Sequence, residues 1–229
     1  MIYVTADLHG RADRFDEVLT AARFSDSDEL YILGDVVDRN PDGIALLQHI
    51  RDTRNMHLLL GNHEHMMLEA LGDPFARVSE RFLAQERWYY NGGEITRQAL
   101  DRLEEGEREA LLAYVRALPL NIPLTLDGRR YLLVHGSPAS LYRPRASHYP
   151  DETSFAVWKR FDPGADRVER GVTVIGGHTP TVHYSGITPM EIFRSGQYWC
   201  IDCGCAYPAS TGGRLALLRL DDERVWYSK

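Results

Sequence analysis

The chain has 229 residues, of which 44% are hydrophobic, and its 33 acidic and 26 basic side chains give a formal net charge of −7. This composition is typical of a globular protein with a sizeable core and excludes disordered and fibrous chains. Because the acidic balance argues against a general nucleic-acid surface and no apolar run approaches the ~18 residues that cross a bilayer, we expect a cytoplasmic protein without nucleic-acid or membrane partners.

Short apolar runs alternate with amphipathic stretches in the first quarter of the chain. The runs 2–5, 30–33 and 56–60 have the length of buried strands. Between them, apolar side chains recur at helical spacing, first at Phe15, Val18, Leu19 and Ala22 and then at Ile44, Leu47 and Ile50. This strand–helix–strand rhythm predicts an α/β fold built on a parallel sheet.

A charged, helix-forming segment follows from about residue 64 to 118. Breaker clusters at Gly72-Asp73-Pro74 and Asn91-Gly92-Gly93 interrupt it, so we predict a helical insert of several helices. Strand-like runs return after the insert at Tyr131–Val134, Val172–Ile175, Tyr198–Ile201 and Arg214–Leu220. Because neither a linker nor an internal repeat divides the sequence, we expect one domain over residues 1–229.

Five of the apolar runs are followed at once by a short polar motif. These motifs are Asp7-Leu8-His9-Gly10, Gly34-Asp35-Val36-Val37-Asp38-Arg39, Gly61-Asn62-His63-Glu64, His135-Gly136 and Gly177-His178-Thr179. After any single strand, an Asp or His is more often a turn residue or a helix cap than a ligand. In an α/β sheet, however, the carboxyl ends of the strands line the edge where ligands bind, so five such motifs are expected to converge.

The side chains in these motifs indicate a metal site. Imidazole nitrogens mixed with carboxylate and amide oxygens suit manganese, iron, zinc or cobalt, whereas an all-oxygen set would indicate magnesium or calcium. Six candidate ligands are too many for one catalytic ion with an open position, but they match two ions that share a carboxylate. We therefore predict a binuclear centre. Cys200, Cys203 and Cys205 lie in an apolar stretch and are expected to be buried, reduced thiols.

The ordered motifs resemble those of the calcineurin-like metallophosphoesterases, and within them the bacterial and phage-type phosphoprotein phosphatases, which are serine/threonine protein phosphatases. The matching positions extend from Asp7 to Thr179, and Ile201-Asp202-Cys203-Gly204 is similar to the Ile-Asp-Thr-Gly of that family. The resemblance implies a β-sandwich flanked by helices, an αββα arrangement, that carries the helical insert.

The same resemblance implies which residues bind two divalent transition-metal ions. They are Asp7 and His9 for one ion, Asn62, His135 and His178 for the other, and Asp35 as the bridge. Manganese is the first candidate, with iron, zinc, cobalt or nickel as alternatives.

Four further residues have catalytic roles by resemblance. His63 would protonate the leaving group, and Asp38 would orient His63. Arg39 would bind the phosphate, together with Arg160, which stands two positions after Trp158. A forked guanidinium matches two phosphate oxygens, and an imidazole is a suitable proton donor near pH 7.

The leading hypothesis is a binuclear-metal phosphohydrolase that cleaves phosphomonoesters, such as phosphoserine or phosphothreonine, by attack of metal-activated hydroxide. Its partner would be a phosphorylated protein or a small phosphoester. A symmetrical dinucleoside polyphosphate hydrolase, acting on diadenosine tetraphosphate, is the alternative because it shares these motifs. A non-catalytic metal- or nucleotide-binding regulator is disfavoured, since a module that only binds needs no proton donor such as His63. The loop Ser137–Asp151 is expected to shape the substrate pocket together with the insert, through Tyr142, Arg143, Arg145 and Tyr149.

Overall fold

The computed structural model describes residues 1–72 and 78–229, which contain two five-stranded sheets and eight α-helices. In order of neighbours, the first sheet consists of β10 (Val225–Tyr227), β9 (Ala216–Arg219), β1 (Ile2–Thr5), β2 (Glu29–Ile32) and β3 (Met56–Leu58). The second consists of β4 (Asn121–Leu126), β5 (Arg129–Val134), β6 (Val172–Gly176), β8 (Tyr198–Cys200) and β7 (Phe193–Ser195). The helices are α1 (Ala12–Ala22), α2 (Gly43–Asp52), α3 (Asn62–Leu71), α4 (Val78–Tyr90), α5 (Glu94–Leu100), α6 (Glu105–Arg116), α7 (Glu152–Trp158) and α8 (Val182–Ser185).

Both sheets are mixed rather than purely parallel. Strands β1, β2 and β3 pair in parallel, as the sequence rhythm predicts, but β9 pairs antiparallel with β1 and β10 pairs antiparallel with β9. In the second sheet β5, β6 and β8 are parallel, and β4 and β7 are antiparallel strands at its two edges. The sequence prediction missed β4, β7 and β10.

The two sheets pack against each other through their inner faces. Val4 and Leu218 of the first sheet join Leu133 and Ile175 of the second in one buried cluster. Because side chains alternate along a strand, the neighbours of these residues face outward. Burial of aliphatic side chains between two sheets is what holds a β-sandwich together.

Helices cover the outer face of the first sheet. Leu30 and Ile32 of β2 pack there with Phe15 and Val18 of α1 and with Leu47 of α2, and all five side chains are buried. The outer face of the second sheet is covered by α8 and by the loop 161–168. The predicted αββα arrangement is therefore confirmed.

Four helices, α3 to α6, lie between β3 and β4. Helix α3 begins at Asn62, so three motif residues lie in its first turn, and Gly72 follows its end. The breaker cluster 91–93 separates α4 from α5, whereas Asp73 and Pro74 lie outside the described residues. None of the helices in the described ranges is long and apolar enough to cross a membrane.

Candidate metal centre

The carboxyl ends of strands from both sheets meet at one cleft of about 170 Å³. Eight of the ten predicted site residues line it, namely Asp7, His9, Asp35, Arg39, Asn62, His63, Arg160 and His178. The other two, Asp38 and His135, lie behind this lining and are 0% and 1% exposed. Motifs spread over more than half of the chain thus come together because each follows a strand that ends at this edge.

Asp35 lies at the centre of the cleft. Its Oδ2 is 3.8 Å from Nε2 of His9, and its Oδ1 is 3.5 Å from Nε2 of His135. Asp35 belongs to two groups of side chains whose ligand atoms all lie within 4.8 Å of one another, one with His9 and His63 and one with His135 and His178. A carboxylate common to two such groups is what a bridge between two ions requires.

Backbone carbonyl groups hold three of the cleft histidines. The nitrogen–oxygen distances are 3.1 Å from His9 Nδ1 to Val37, 2.6 Å from His135 Nδ1 to Leu33 and 3.1 Å from His178 Nε2 to Trp158. When the proton of each ring is on the nitrogen that faces the carbonyl group, the other ring nitrogen points toward the cleft without a proton, as in metal-binding histidines. Burial lowers the pKa of all three rings, that of His178 to about 3, so the neutral form that a metal requires is favoured.

Asn62 adds an amide oxygen to this set from the first turn of α3. Its Oδ1 lies 2.9 Å from Nε2 of His135 and 2.8 Å from Nδ1 of His178. One oxygen and two imidazole nitrogens therefore converge on a common region. Asp7 faces the same cleft, where both of its carboxylate oxygens accept the backbone N–H of His178 at 3.1 Å, but within the described ranges it belongs to neither group.

Three buried carboxylates share the cleft: Asp7, Asp35 and Asp202, which are 2%, 2% and 4% exposed. Burial, followed by the charges of Asp202 and Asp35, raises the pKa of Asp7 well above its ordinary value. Burial also raises the pKa of Asp202 to about 6, with the charge of Asp35 acting in the same direction. This crowding of carboxylates beside imidazole nitrogens fits divalent cations.

His63 differs from the other three histidines in the group that holds it. Its Nδ1 donates to the buried Asp38 carboxylate at 2.7 Å, and its Nε2 lies 3.1 Å from Nη2 of Arg39. Burial alone would lower the pKa of His63, but the carboxylates of Asp35 and Asp38 outweigh burial and raise it. A ring that is held by a carboxylate and favours the imidazolium form is suited to donating a proton rather than to binding a metal.

Side chains of α4 and α5 hold Asp38 in turn. The indole Nε1 of Trp88 donates to its carboxylate at 2.9 Å, and the hydroxyl of Thr96 donates to it at 2.6 Å. Trp88 is fully buried, and a Cβ at Gly93 would lie 2.3 Å from its ring. Thr96 was not predicted as a site residue, because a single threonine in a helix carries no motif.

The Glu64 carboxylate ties the strand-two motif to the start of α3. Its Oε1 accepts the backbone N–H groups of Val36 and Val37 at 2.8 and 3.2 Å. Its Oε2 accepts those of Asp35 and Gly61 at 2.8 and 3.1 Å. Glu64 is fully buried, so these four bonds fix the backbone that carries Asp35.

The prediction that the loop 137–151 shapes the pocket is wrong for the cleft that the described residues form. No residue of that loop lines the cleft, and Tyr142 instead packs against Phe155 with ring centroids 5.6 Å apart. The insert contributes one residue, Asn91, to the lining of the cleft, as expected. Beyond the predicted site residues, the cleft is lined by Asn91, Trp158, Pro180, His183, Asp202 and Tyr207.

The three cysteines are buried and free, as predicted. Burial raises the pKa of Cys203 and Cys205 above that of an ordinary thiol, that of Cys205 to about 12. These thiols therefore stay protonated, and they belong to neither of the groups of potential metal ligands found in residues 1–72 and 78–229.

The chain belongs to the calcineurin-like phosphoesterases, since the model of that family matches residues 1–206. Together with phosphatase-named relatives, this match makes it a metal-dependent phosphoric ester hydrolase. Eight of the ten residues predicted from the motifs line the cleft.

Two relatives differ in the substrate that their names state. The chain is 27% identical over 226 residues to serine/threonine-protein phosphatase 1 of Salmonella typhimurium, covering 96% of this chain and 91% of that protein. It is 34% identical over 280 residues to the symmetrical bis(5'-nucleosyl)-tetraphosphatase of Erwinia tasmaniensis, covering 98% and 95%. Alignments with two other symmetrical tetraphosphatases span only 42% and 43% of those proteins.

A solved structure supports the fold. The metallophosphoesterase from Sphaerobacter thermophilus superimposes with a TM-score of 0.52 at 19% identity, covering 99% of this chain and 87% of that one.

Proposed function

We propose that the cleft binds two divalent transition-metal ions with Asp35 as the bridge. The observation that carries this proposal is that the two carboxylate oxygens of Asp35 face different histidines, Oδ2 facing Nε2 of His9 at 3.8 Å and Oδ1 facing Nε2 of His135 at 3.5 Å. The remaining ligands would be Asp7 and His9 for one ion and Asn62, His135 and His178 for the other. Manganese is the first candidate, with iron, zinc, cobalt or nickel as alternatives, because the donors mix nitrogen and oxygen. Two such ions would neutralise phosphoryl charge and lower the pKa of a coordinated water.

Side chains around the proposed metal site would bind the phosphoryl group and protonate the leaving group. Arg39 and Arg160 line the cleft and would bind the phosphoryl oxygens, which a forked guanidinium matches. His63 would donate the proton from Nε2 to the departing alkoxide, because its Nδ1 is held by Asp38 and its ring lines the cleft. A strongly basic alkoxide needs such a proton to leave.

The substrate that this arrangement fits best is a phosphomonoester, such as a phosphoserine or phosphothreonine side chain. Of the described Lys and Arg residues, only Arg39 and Arg160 line the cleft, which suits one phosphoryl group better than a chain of four. The match to the Salmonella protein phosphatase over nearly the whole chain points in the same direction.

The second candidate is symmetrical cleavage of a dinucleoside tetraphosphate. It is favoured by Tyr207 and His183, whose rings line the cleft and could stack on a nucleobase. The Erwinia relative, which is named for that activity, supports it as well.

The proton-donor role is tested with His63→Asn. We expect the variant to keep two metal ions per chain while turnover of an alkyl phosphate falls by about 10²–10⁴-fold, the usual scale for a lost general acid. The loss should shrink for p-nitrophenyl phosphate, because its leaving group needs little protonation. His65→Asn is the matched control, since His65 is a neighbour on the same helix but does not line the cleft. Equal losses on both substrates would contradict the role.

The substrate class is tested by comparing kcat/KM for a phosphoserine peptide, p-nitrophenyl phosphate and diadenosine tetraphosphate in the presence of manganese. We expect the two monoesters to be cleaved faster. Cleavage of diadenosine tetraphosphate into two diphosphates at a rate about 100-fold higher, lost in Tyr207→Ala, would instead establish the second candidate.

A further inference from the structure

A second cavity lies on the outer side of the second sheet, away from the metal cleft. It has a volume of about 450 Å³ and shares no lining residue with the cleft. Strands β4, β5 and β6 form its floor, and the segments 140–143 and 167–169 form its walls. Its volume lies within the range of about 300–1,000 Å³ that is typical of sites for small molecules.

The lining of this cavity is apolar at its base. Leu132, Leu141 and Val168 line it and are partly buried against the cluster that contains Val134 and Val174. An occupant with a hydrocarbon or aromatic body would therefore remove both its own apolar surface and that of the cavity from water.

Three arginines lie among the lining residues of the cavity. Arg130 forms an ion pair with Glu169 at 2.7 Å. Arg143 and Arg167 donate only to backbone carbonyls within the described part of the chain, Arg143 to Ser140 and Tyr142 and Arg167 to Gly164 and Asp166. The lining thus includes three arginines and one carboxylate, Glu169, which leaves two excess positive charges in a chain of net charge −7.

We propose that this cavity is a binding site for a small amphipathic anion, a molecule with one carboxylate or phosphate group and an apolar body. The apolar body would contact Leu132, Leu141 and Val168, and the anionic group would accept hydrogen bonds from Arg143 and Arg167. Forked guanidinium groups bind carboxylate and phosphate oxygens in pairs, which a neutral or cationic ligand of equal size does not offer. The site is independent of the chemistry in the metal cleft.

The test uses three probes with the same eight-carbon tail: octanoate, octanol and octylammonium. Binding to the whole protein is followed by calorimetric titration and by methyl NMR shifts, and the NMR shifts distinguish binding in this cavity from binding in the metal cleft. We expect octanoate to bind at least about tenfold more tightly than octanol or octylammonium, because hydrogen bonds to a charged group carry the difference. The largest shifts should come from the methyl groups of Leu132, Leu141 and Val168.

The double variant Arg143→Gln/Arg167→Gln should lose about tenfold in octanoate affinity while octanol binding is unchanged. Arg102→Gln/Arg116→Gln is the matched control, since it removes two exposed charges that do not line the cavity. Should the double variant fold poorly, salt titration of the parent protein tests the same point, because only octanoate binding should weaken. Equal affinity for the three probes, or an equal loss in the control, would overturn the proposal, and neither result depends on catalysis.

Discussion

Gly61, the residue before α3, has no room for a side chain. Its φ of −97° suits any residue, but an added Cβ would lie 2.3 Å from Oδ1 of Asp35 and 2.6 Å from Oε2 of Glu64. Gly61→Ala must therefore displace the proposed bridge and the carboxylate that holds its backbone. Overpacking costs about 1–3 kcal/mol, and one lost charged hydrogen bond adds about 1.5–3 kcal/mol. We expect a loss of about 3 kcal/mol or more, which for a chain of this size lowers Tm by about 6–12 °C.

Thermal unfolding in EDTA measures this packing cost without the contribution of bound metal. A manganese titration by calorimetry then measures the site itself, where we expect at least about tenfold weaker binding. Gly106→Ala is the matched control, because the same change near the start of α6 meets no heavy atom within 4 Å and should raise stability by up to about 1 kcal/mol. A Gly61→Ala protein that melts within about 2 °C of the parent and binds two ions with parental affinity would refute the reasoning.

Three further variants test other contacts. Asp35→Asn should weaken both proposed metal sites, because Asp35 would be the donor that the two ions share, and a titration in which one ion keeps its full affinity would exclude the binuclear arrangement. Trp88→Phe leaves the buried Asp38 carboxylate without an indole donor and should lower the free energy of unfolding in urea by about 1–3 kcal/mol, whereas a parental value would show that the bond contributes nothing. Arg14 is 2% exposed and donates to the carbonyls of Cys205 and Tyr207 at 2.7 and 3.1 Å. Arg14→Leu should therefore lower the free energy of unfolding in urea by about 2–6 kcal/mol and change the KM for substrate, because Tyr207 lines the cleft. Unchanged stability and KM would argue against this anchoring role.

The convergence of the five motifs at one cleft was predictable, because every motif follows an apolar run that is long enough to be recognised as a strand. The missed strands lacked that signal. Pro123 interrupts β4, and proline is tolerated there only because β4 lies at a sheet edge, a position that the sequence does not reveal. Strands β7 and β10 have only three residues each, too few for alternation to stand out.

The backbone of the site was not predictable. Six of its non-glycine residues adopt left-handed φ angles between 45° and 71°, namely Asp7, His9, Asp35, Asp38, Arg39 and His178. Intrinsic preference would place glycine or asparagine at such positions, and each exception costs about 1–3 kcal/mol. Surrounding hydrogen bonds, such as the four that Glu64 accepts, offset this cost, and they depend on contacts between distant elements rather than on local sequence.

The hydrogen bonds from α4 and α5 to Asp38 limit which segments can be exchanged between related chains. The proposed metal ligands all follow strand ends, so a chimera that receives another protein's helices in place of 78–100 would keep them. It would also receive a new cleft wall at the position of Asn91. The same exchange removes the Trp88 and Thr96 donors, and with them the support of the Asp38–His63 pair. An exchange of this segment that is meant to change substrate choice must therefore also supply an indole and a hydroxyl donor to Asp38. The same segment provides both the cleft residue Asn91 and the donors that support the proposed proton donor.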